Sequence, residues 1–205
     1  PRLVFASMET LTTLSDEQFR SGLGEAVKHG VLADRTLFDL CAEQAKRIVA
    51  RDPLLICELV ERSIRVKAGV VAQDERETGL RAVLNLGHTV GHAIELNLLK
   101  SGTPLAHGVC VGLGLIAEAR WAEACGYCPE GTAGRIQAVL SGLALPVVSP
   151  LIERGALLAA ASFDKKAVRG TLRTAIVEDI GRVRLTEIPQ EEVRDLFNSL
   201  PGFLR

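Results

Sequence analysis

Aromatic side chains are scarce in this chain of 205 residues: they make up 4% of it, with one Trp and one Tyr, against 47% hydrophobic residues in all. Its core must be built from Leu, Ala, Val and Gly, and aliphatic packing of that kind favours helices. An excess of charge is also missing. The chain has 24 Lys and Arg against 25 Asp and Glu, a formal net charge of -1. A balanced surface attracts neither nucleic acid nor an acidic membrane, so neither is expected as a partner. No apolar run reaches the ~18 residues of a membrane-spanning helix, and no secretory leader pattern is evident. The five cysteines form an odd set, and Cys41, Cys57 and Cys110 fall in helical apolar patterns. They read as reduced thiols of a cytoplasmic protein. Cys125-Gly126-Tyr127-Cys128 has CxxC spacing, but one pair without a second is weak evidence for a metal or redox site.

The length can bury a substantial core. Leu3-Val4-Phe5-Ala6 reads as a short strand with no strand before it to pair with, which suits a fragment or a piece of a cleaved protein. Ser15, followed three residues on by Gln18, predicts a capped helix to about Leu32 with Glu25 and Lys28 on one face. Asp34 can cap a second helix, to about Ala50. Asp52-Pro53 opens a third, with Ile56, Leu59, Val60, Ile64 and Val70 as its apolar stripe and Lys67 near its end. After the polar loop 73–78, one helix is expected from Gly79 to Leu98, with Arg81, Asn85, His88 and His92 on one stripe. A Gly-rich apolar helix follows from His107 to Cys125, with His107 pointing inward. Further helices are expected at Glu130–Leu140, from Ser149-Pro150, and from near Gln190. Thr171–Val177 and Arg182–Thr186 read as two strands joined by a turn. The fold class is therefore mainly α: a multi-helix domain with a small β-hairpin.

Histidine is rare too, and all four copies stand beside chemistry-bearing neighbours. His88 and His92 lie four apart among glycines, His107 opens a buried helix, and His29 follows Glu25 and Lys28. Glu25, His88 and His107 would suit Zn²⁺, leaving a coordination position open for water or substrate. The bland alternative makes His88 and His107 hydrogen-bonded core histidines and pairs Glu25 with Lys28. His88 and His92 could also chelate as an i,i+4 pair, although Thr89 stands where a metalloprotease has Glu. Lys28, Lys67, Arg81 and either Lys165 or Lys166 are candidate anion binders, with solvated surface charge as the alternative for each. Asn85 can donate to and accept from hydroxyls, and His92 is available for proton transfer. His29 points off the Lys28 face and reads as structural.

Several segments resemble 3-dehydroquinate synthases. They are Gly24-Glu25-Ala26-Val27-Lys28-His29-Gly30, the block from Lys67 to Glu77, and Gly79-Leu80-Arg81 running on through Leu84-Asn85-Leu86-Gly87-His88-Thr89-Val90-Gly91-His92-Ala93-Ile94-Glu95. His107-Gly108 and Asp164-Lys165-Lys166 match in order. The likeness spans residues 1–205 but only the helical carboxy-terminal, metal- and substrate-binding domain of that family. The amino-terminal NAD-binding domain has no counterpart in these residues, so the isolated chain is expected to be inactive.

The resemblance implies zinc (or cobalt) on Glu25, His88 and His107, with His92 outside the ligand set. It implies a substrate site of Lys28, Lys67, Arg81, Asn85, His92 and Lys165 or Lys166. The substrate would be a seven-carbon sugar-acid phosphate, converted to a carbocycle with loss of phosphate while NAD⁺ is reduced and reoxidised. A cytoplasmic homodimer is implied for the intact protein. Val109 departs from the family, which usually has Glu there, and the stretch 98–102 looks long and should bulge as a loop. A related sugar-phosphate cyclase, a metal-dependent polyol dehydrogenase and a non-catalytic helical module remain alternatives.

Overall fold

In a computed structural model, residues 3, 5–76, 79–148, 167–168, 171–189, 192 and 195–197 are described. Among the described residues, seven helices and three strands follow in order: α1 Asp16–Ala33, α2 Arg35–Glu43, α3 Ala45–Val49, α4 Pro53–Gln73, α5 His88–Lys100, α6 His107–Ala124, α7 Thr132–Gly142, β1 Ala167–Val168, β2 Thr171–Asp179 and β3 Arg182–Pro189. The mainly helical class with a small antiparallel sheet is thus as read from the sequence. Short 3-10 segments precede α1 (Met8–Thr13) and α5 (Leu80–Asn85).

Local caps explain most boundaries. The Ser15 hydroxyl accepts the Gln18 N–H at 3.2 Å, Asp34 accepts the Leu37 N–H at 2.9 Å, and Asp52 accepts from Leu54 and Leu55 with Pro53 following. The long second helix breaks at Gln44 into α2 and α3. On α4 the expected stripe fails at Ile64, which is 48% exposed, because only one face of that helix meets α1. Leu3 and Phe5 are exposed and form no strand.

The largest revision lies between residues 79 and 98. One continuous helix was expected, but Gly87 takes φ +76 and splits it into the 3-10 segment and α5. Only glycine adopts that left-handed turn at little cost. Arg81 and Asn85 are therefore not on one helical stripe with His88 and His92. The stretch 98–102 does not bulge throughout: α5 absorbs it as far as Lys100, and a turn follows.

Helix α6 is the axis of the core, buried from Gly108 to Ala119, and α1, α5, α7 and β2 pack around it. Strands β2 and β3 form an antiparallel hairpin with a bulge between Val177 and Asp179, and the two-residue β1 adds to the β2 edge. The hairpin packs on the 3-10 segment that carries Arg81. The turn is tied to α1 by the Gly181 N–H, which donates to the Val31 carbonyl at 2.9 Å. The expected helix from Ser149-Pro150 lies outside the described residues. So do Lys165 and Lys166. Residues 192 and 195–197 are helical, in agreement with a closing helix. All five cysteines are free. No helix among the described residues is long and apolar enough to cross a membrane.

Candidate metal centre

One cavity of about 530 Å³ is lined by Glu25, Lys28, His29, Lys67, Arg81, Leu84, Asn85, His88 and His107. Every described residue expected at the site lines it except His92. That histidine sits at the edge, its ring centroid 5.1 Å from that of His88 and 5.7 Å from that of His107.

Glu25 divides its carboxylate between two tasks. Lys28, one turn further along α1, donates to Oε2 at 2.6 Å. Oε1 faces both helix starts, 3.7 Å from His88 Nε2 and 3.4 Å from His107 Nε2. Burial would raise the Glu25 carboxyl, but the charge and hydrogen bond of Lys28 outweigh it and hold the group below its ordinary value. The alternative pairing of Glu25 with Lys28 therefore exists, but it uses only one oxygen.

The imidazoles are oriented from behind. His88 Nδ1 stands 3.0 Å from the Leu86 carbonyl, which can only accept, so Nδ1 carries the proton. Burial, together with the nearby Lys28 cation, depresses His88 to about 4 although the Leu86 carbonyl opposes the shift. A neutral His88 with Nδ1–H directed at Leu86 aims an Nε2 lone pair at the Glu25 oxygen. Two acceptors face one another there, which suits a shared cation and not a hydrogen bond. His107 Nδ1 meets the Glu95 carboxylate at 3.0 Å, again turning Nε2 toward Glu25. Carbonyl and carboxylate partners of this kind fix the tautomer of metal-ligating histidines. The donor set fits a divalent metal. The histidines also form an overlapping set: one ring nitrogen from each of His88, His92 and His107 lies within 4.8 Å of the others. His107 turns into the cavity as expected, but it is not enclosed there. It is exposed, because α6 begins at the cavity mouth.

Lys67 is exposed at the rim on α4. Arg81 reaches the cavity from the 3-10 segment, its guanidinium donating to the Glu75 carbonyl at 3.0 Å. Buried Asp74 holds that segment by accepting the Gly79 and Arg81 N–H groups at 2.8 and 2.9 Å. His29 corrects the sequence reading: it lines the cavity, is buried, and has no hydrogen-bond partner at Nδ1. Burial and the adjacent Lys28 depress it to about 4. Val109 is buried in the core, so α6 offers no carboxylate at that position.

Sequence reasoning missed Glu95, Asp74 and Glu118 as supports. Glu118, on α6, is buried beneath the start of α5, and its Oε2 accepts the Gly87 N–H at 2.6 Å. Burial pushes its carboxyl up to about 8, against the pull of N–H donors from Gly87, Val90 and Thr89. Glu95 lies three residues after His92, at the end of the segment 79–95. Nothing local in the sequence marks Asp74 or Glu118 as a support, because their acceptors' partners are backbone groups brought near by folding.

Residues 22–167 match the family profile described as 3-dehydroquinate synthase C-terminal. The chain is 42% identical over 196 residues to 3-dehydroquinate synthase from Pelobacter propionicus, covering 96% of this chain and 54% of that protein. It is 38% identical over 199 residues to 3-dehydroquinate synthase from Sulfolobus acidocaldarius, covering 95% and 56%. The chain thus spans about half the length of the curated relatives it matches. Among solved structures, the fold is shared with 2-epi-5-epi-valiolone synthase from Streptomyces hygroscopicus, with NAD⁺ and Zn²⁺ bound, at a TM-score of 0.80 and 24% identity over 93% of this chain and 53% of that one. It is also shared with 2-deoxy-scyllo-inosose synthase complexed with carbaglucose-6-phosphate, NAD⁺ and Co²⁺, at a TM-score of 0.74 and 19% identity over 98% and 56%. With the helical fold and the Glu25–histidine cluster in place, these matches show that the chain belongs to the 3-dehydroquinate synthase family, as its carboxy-terminal domain.

Proposed function

We propose that this chain is the metal- and substrate-binding half of a lyase. The reaction converts 3-deoxy-D-arabino-heptulosonate 7-phosphate to 3-dehydroquinate, with release of phosphate and transient NAD-dependent oxidation. The observation that carries the proposal is the convergence of Glu25 Oε1 with the Nε2 atoms of His88 and His107, in the cavity that Lys67, Arg81 and Asn85 also line.

Glu25, His88 and His107 would hold Zn²⁺ or Co²⁺. When bound, such an ion supplies Lewis acidity to substrate hydroxyls. The protein's own groups do the rest. Lys28 fixes Glu25 through Oε2 and leaves Oε1 turned to the histidines. Lys67 and Arg81 hold the phosphate and carboxylate ends through charge-assisted hydrogen bonds. Lys165 or Lys166 is proposed to join them. Asn85 reads hydroxyls with its donor and acceptor, and His92, beside the cluster, moves protons near neutral pH. No strand–glycine loop–helix unit for a dinucleotide occurs among the described residues, so this chain's share of the site is the metal and anion half. We place the protein in the cytoplasm, as a homodimer when intact.

A related sugar-phosphate cyclase is the second reading, favoured by the fold shared with valiolone and inosose synthases. Phosphate release tests both. The 205-residue chain alone should show no turnover with NAD⁺, Zn²⁺ and the keto-acid phosphate. Adding the amino-terminal half of the Pelobacter relative should yield 3-dehydroquinate. Steady release by the chain alone would overturn the half-site reading, and turnover of a different sugar phosphate only would favour the sister cyclase. Cobalt binding lost in His92→Ala but kept in Glu25→Gln would reassign the ligands to the three histidines.

A further inference from the structure

Two helices of the site begin with a histidine, and neither has a side-chain cap of its own. The residue before α5 is Gly87 and the residue before α6 is Ala106. Unpaired N–H groups at a helix start must find acceptors elsewhere. For α6 the acceptor is Ser21 on α1, whose hydroxyl takes the Gly108 N–H at 2.9 Å. For α5 it is Glu118. Its Oε2 accepts from Gly87 at 2.6 Å and its Oε1 stands 3.5 Å from the Val90 nitrogen.

We propose that Glu118 is a positioning residue for the metal site: reaching from α6, it clamps the start of α5 and so fixes where His88 presents its ring. The proposal rests on the metal-site reading above. Glu118 is 4% exposed. Burying a carboxyl group is costly unless its oxygens are hydrogen-bonded, and an aliphatic side chain would fill the same space without that cost. What the carboxyl group adds is a pair of fixed oxygens at the helix start, which accept backbone N–H groups in the neutral acid as well as in the anion. His88 lies between the two N–H groups they face. The Leu86 carbonyl then sets the rotation of its ring.

The same helix prepares the contact sterically. Gly114, one turn before Glu118, lies on the same face of α6. A Cβ there would overlap the Gly87 carbonyl oxygen and crowd the Gly91 nitrogen. Its absence lets the left-handed Gly87 turn rest directly on α6. Because α6 also begins with His107, one rigid helix carries one histidine and the clamp on the other. That arrangement sets the 5.3 Å between their ring centroids.

Cobalt titration of the 205-residue chain, read from the visible spectrum, tests this with Glu118→Ala, Glu118→Gln and a control, Leu113→Ala, which empties a buried site on the same helix. Loss of an outer-shell partner typically weakens metal binding by ~10–100-fold, and Glu118→Ala should do so with a changed spectrum. Glu118→Gln keeps one acceptor oxygen and should restore affinity to within about threefold of the wild type. Leu113→Ala should lower Tm but leave affinity and spectrum alone. Hydrogen exchange at the Gly87 amide of the metal-free protein should be slow in the wild type and Glu118→Gln, and fast in Glu118→Ala. If Glu118→Ala does not fold, Glu118→Asp, one methylene shorter, should show intermediate affinity.

Unchanged cobalt binding in Glu118→Ala or Glu118→Asp would overturn the proposal. So would an equal loss in Leu113→Ala at equal Tm. A wild type that binds no cobalt would sink the metal reading instead, and Gly87 exchange would then judge the clamp alone.

Discussion

Breaking the Glu25–Lys28 pair from either side should give unequal losses of stability. The Lys28 ammonium stands 2.6 Å from Glu25 Oε2, with the lysine side chain 5% exposed and the glutamate 30% exposed. At an effective dielectric near 20, two unit charges 4 Å apart attract by about 4 kcal/mol, and desolvation offsets part of this. Removing one partner of a fully buried pair costs about 3–5 kcal/mol, mostly for the charge left behind. Glu25→Gln strands the nearly enclosed ammonium and should cost about 3 kcal/mol, at the lower end of that range. Lys28→Met strands a carboxylate that water can reach, so its cost should fall to about 1.5–2 kcal/mol. A double-mutant cycle should return a coupling of about 1–3 kcal/mol. For a chain of this length Glu25→Gln would lower Tm by roughly 6–12 °C. Urea unfolding at pH 7 with a chelator present is the assay, because a bound metal would add its own stabilisation. A coupling under about 0.5 kcal/mol, or a Lys28→Met loss larger than that of Glu25→Gln, would refute the reasoning. The same variants separate structure from ligation: cobalt binding should vanish in Glu25→Gln and survive in Lys28→Met.

His29 and His88 have folded pKa values of about 4, below the ordinary 6.5, so the stability they confer is complete above pH 6.5 and is lost as pH falls toward 4. Each contributes at most about 3 kcal/mol, and His29→Asn should flatten the acid limb of a chelated stability profile; an unchanged limb refutes a buried neutral His29. Glu118 acts in the opposite sense, its raised pKa of about 8 removing stability as pH rises from 4.5, so Glu118→Gln should flatten the alkaline limb. Phosphate binding followed by calorimetry should weaken about tenfold in Arg81→Ala and in Lys67→Ala. Unchanged binding in both would reduce those cations to surface solvation. Asp74→Ala should weaken phosphate binding as well, and cost about 1–2 kcal/mol of stability, because it frees the Gly79 and Arg81 N–H groups. Gly114→Ala should destabilise by about 1–3 kcal/mol and weaken cobalt binding through its clash with Gly87. Gly112→Ala meets only Leu140 and Leu145 side chains at 3.4 Å or more and should be neutral, or stabilising by up to about 1 kcal/mol. Equal effects at the two glycines would refute the close crossing of α5 and α6.

The sequence by itself determined what depends on neighbours along the chain. Ser15, Asp34 and Asp52-Pro53 start helices because a cap needs only an acceptor two or three residues before the N–H it satisfies. Glu25 and Lys28 share a face because helical periodicity puts i and i+3 together. The chemical types of the site, one carboxylate, three imidazoles and several cations, were likewise legible. The tertiary structure decided everything that runs between helices. The Gly87 turn broke an apparently continuous stripe, because close packing on Gly114 favours a left-handed residue over a further helical turn. His107 opened toward the cavity mouth although its helix is buried from Gly108 to Ala119. His29 turned out to line the cavity, and Glu95, Asp74 and Glu118 acquired roles through partners 12, 5 and 31 positions away. Such contacts are set by which backbones pack together, and no residue pattern along a single helix carries that information.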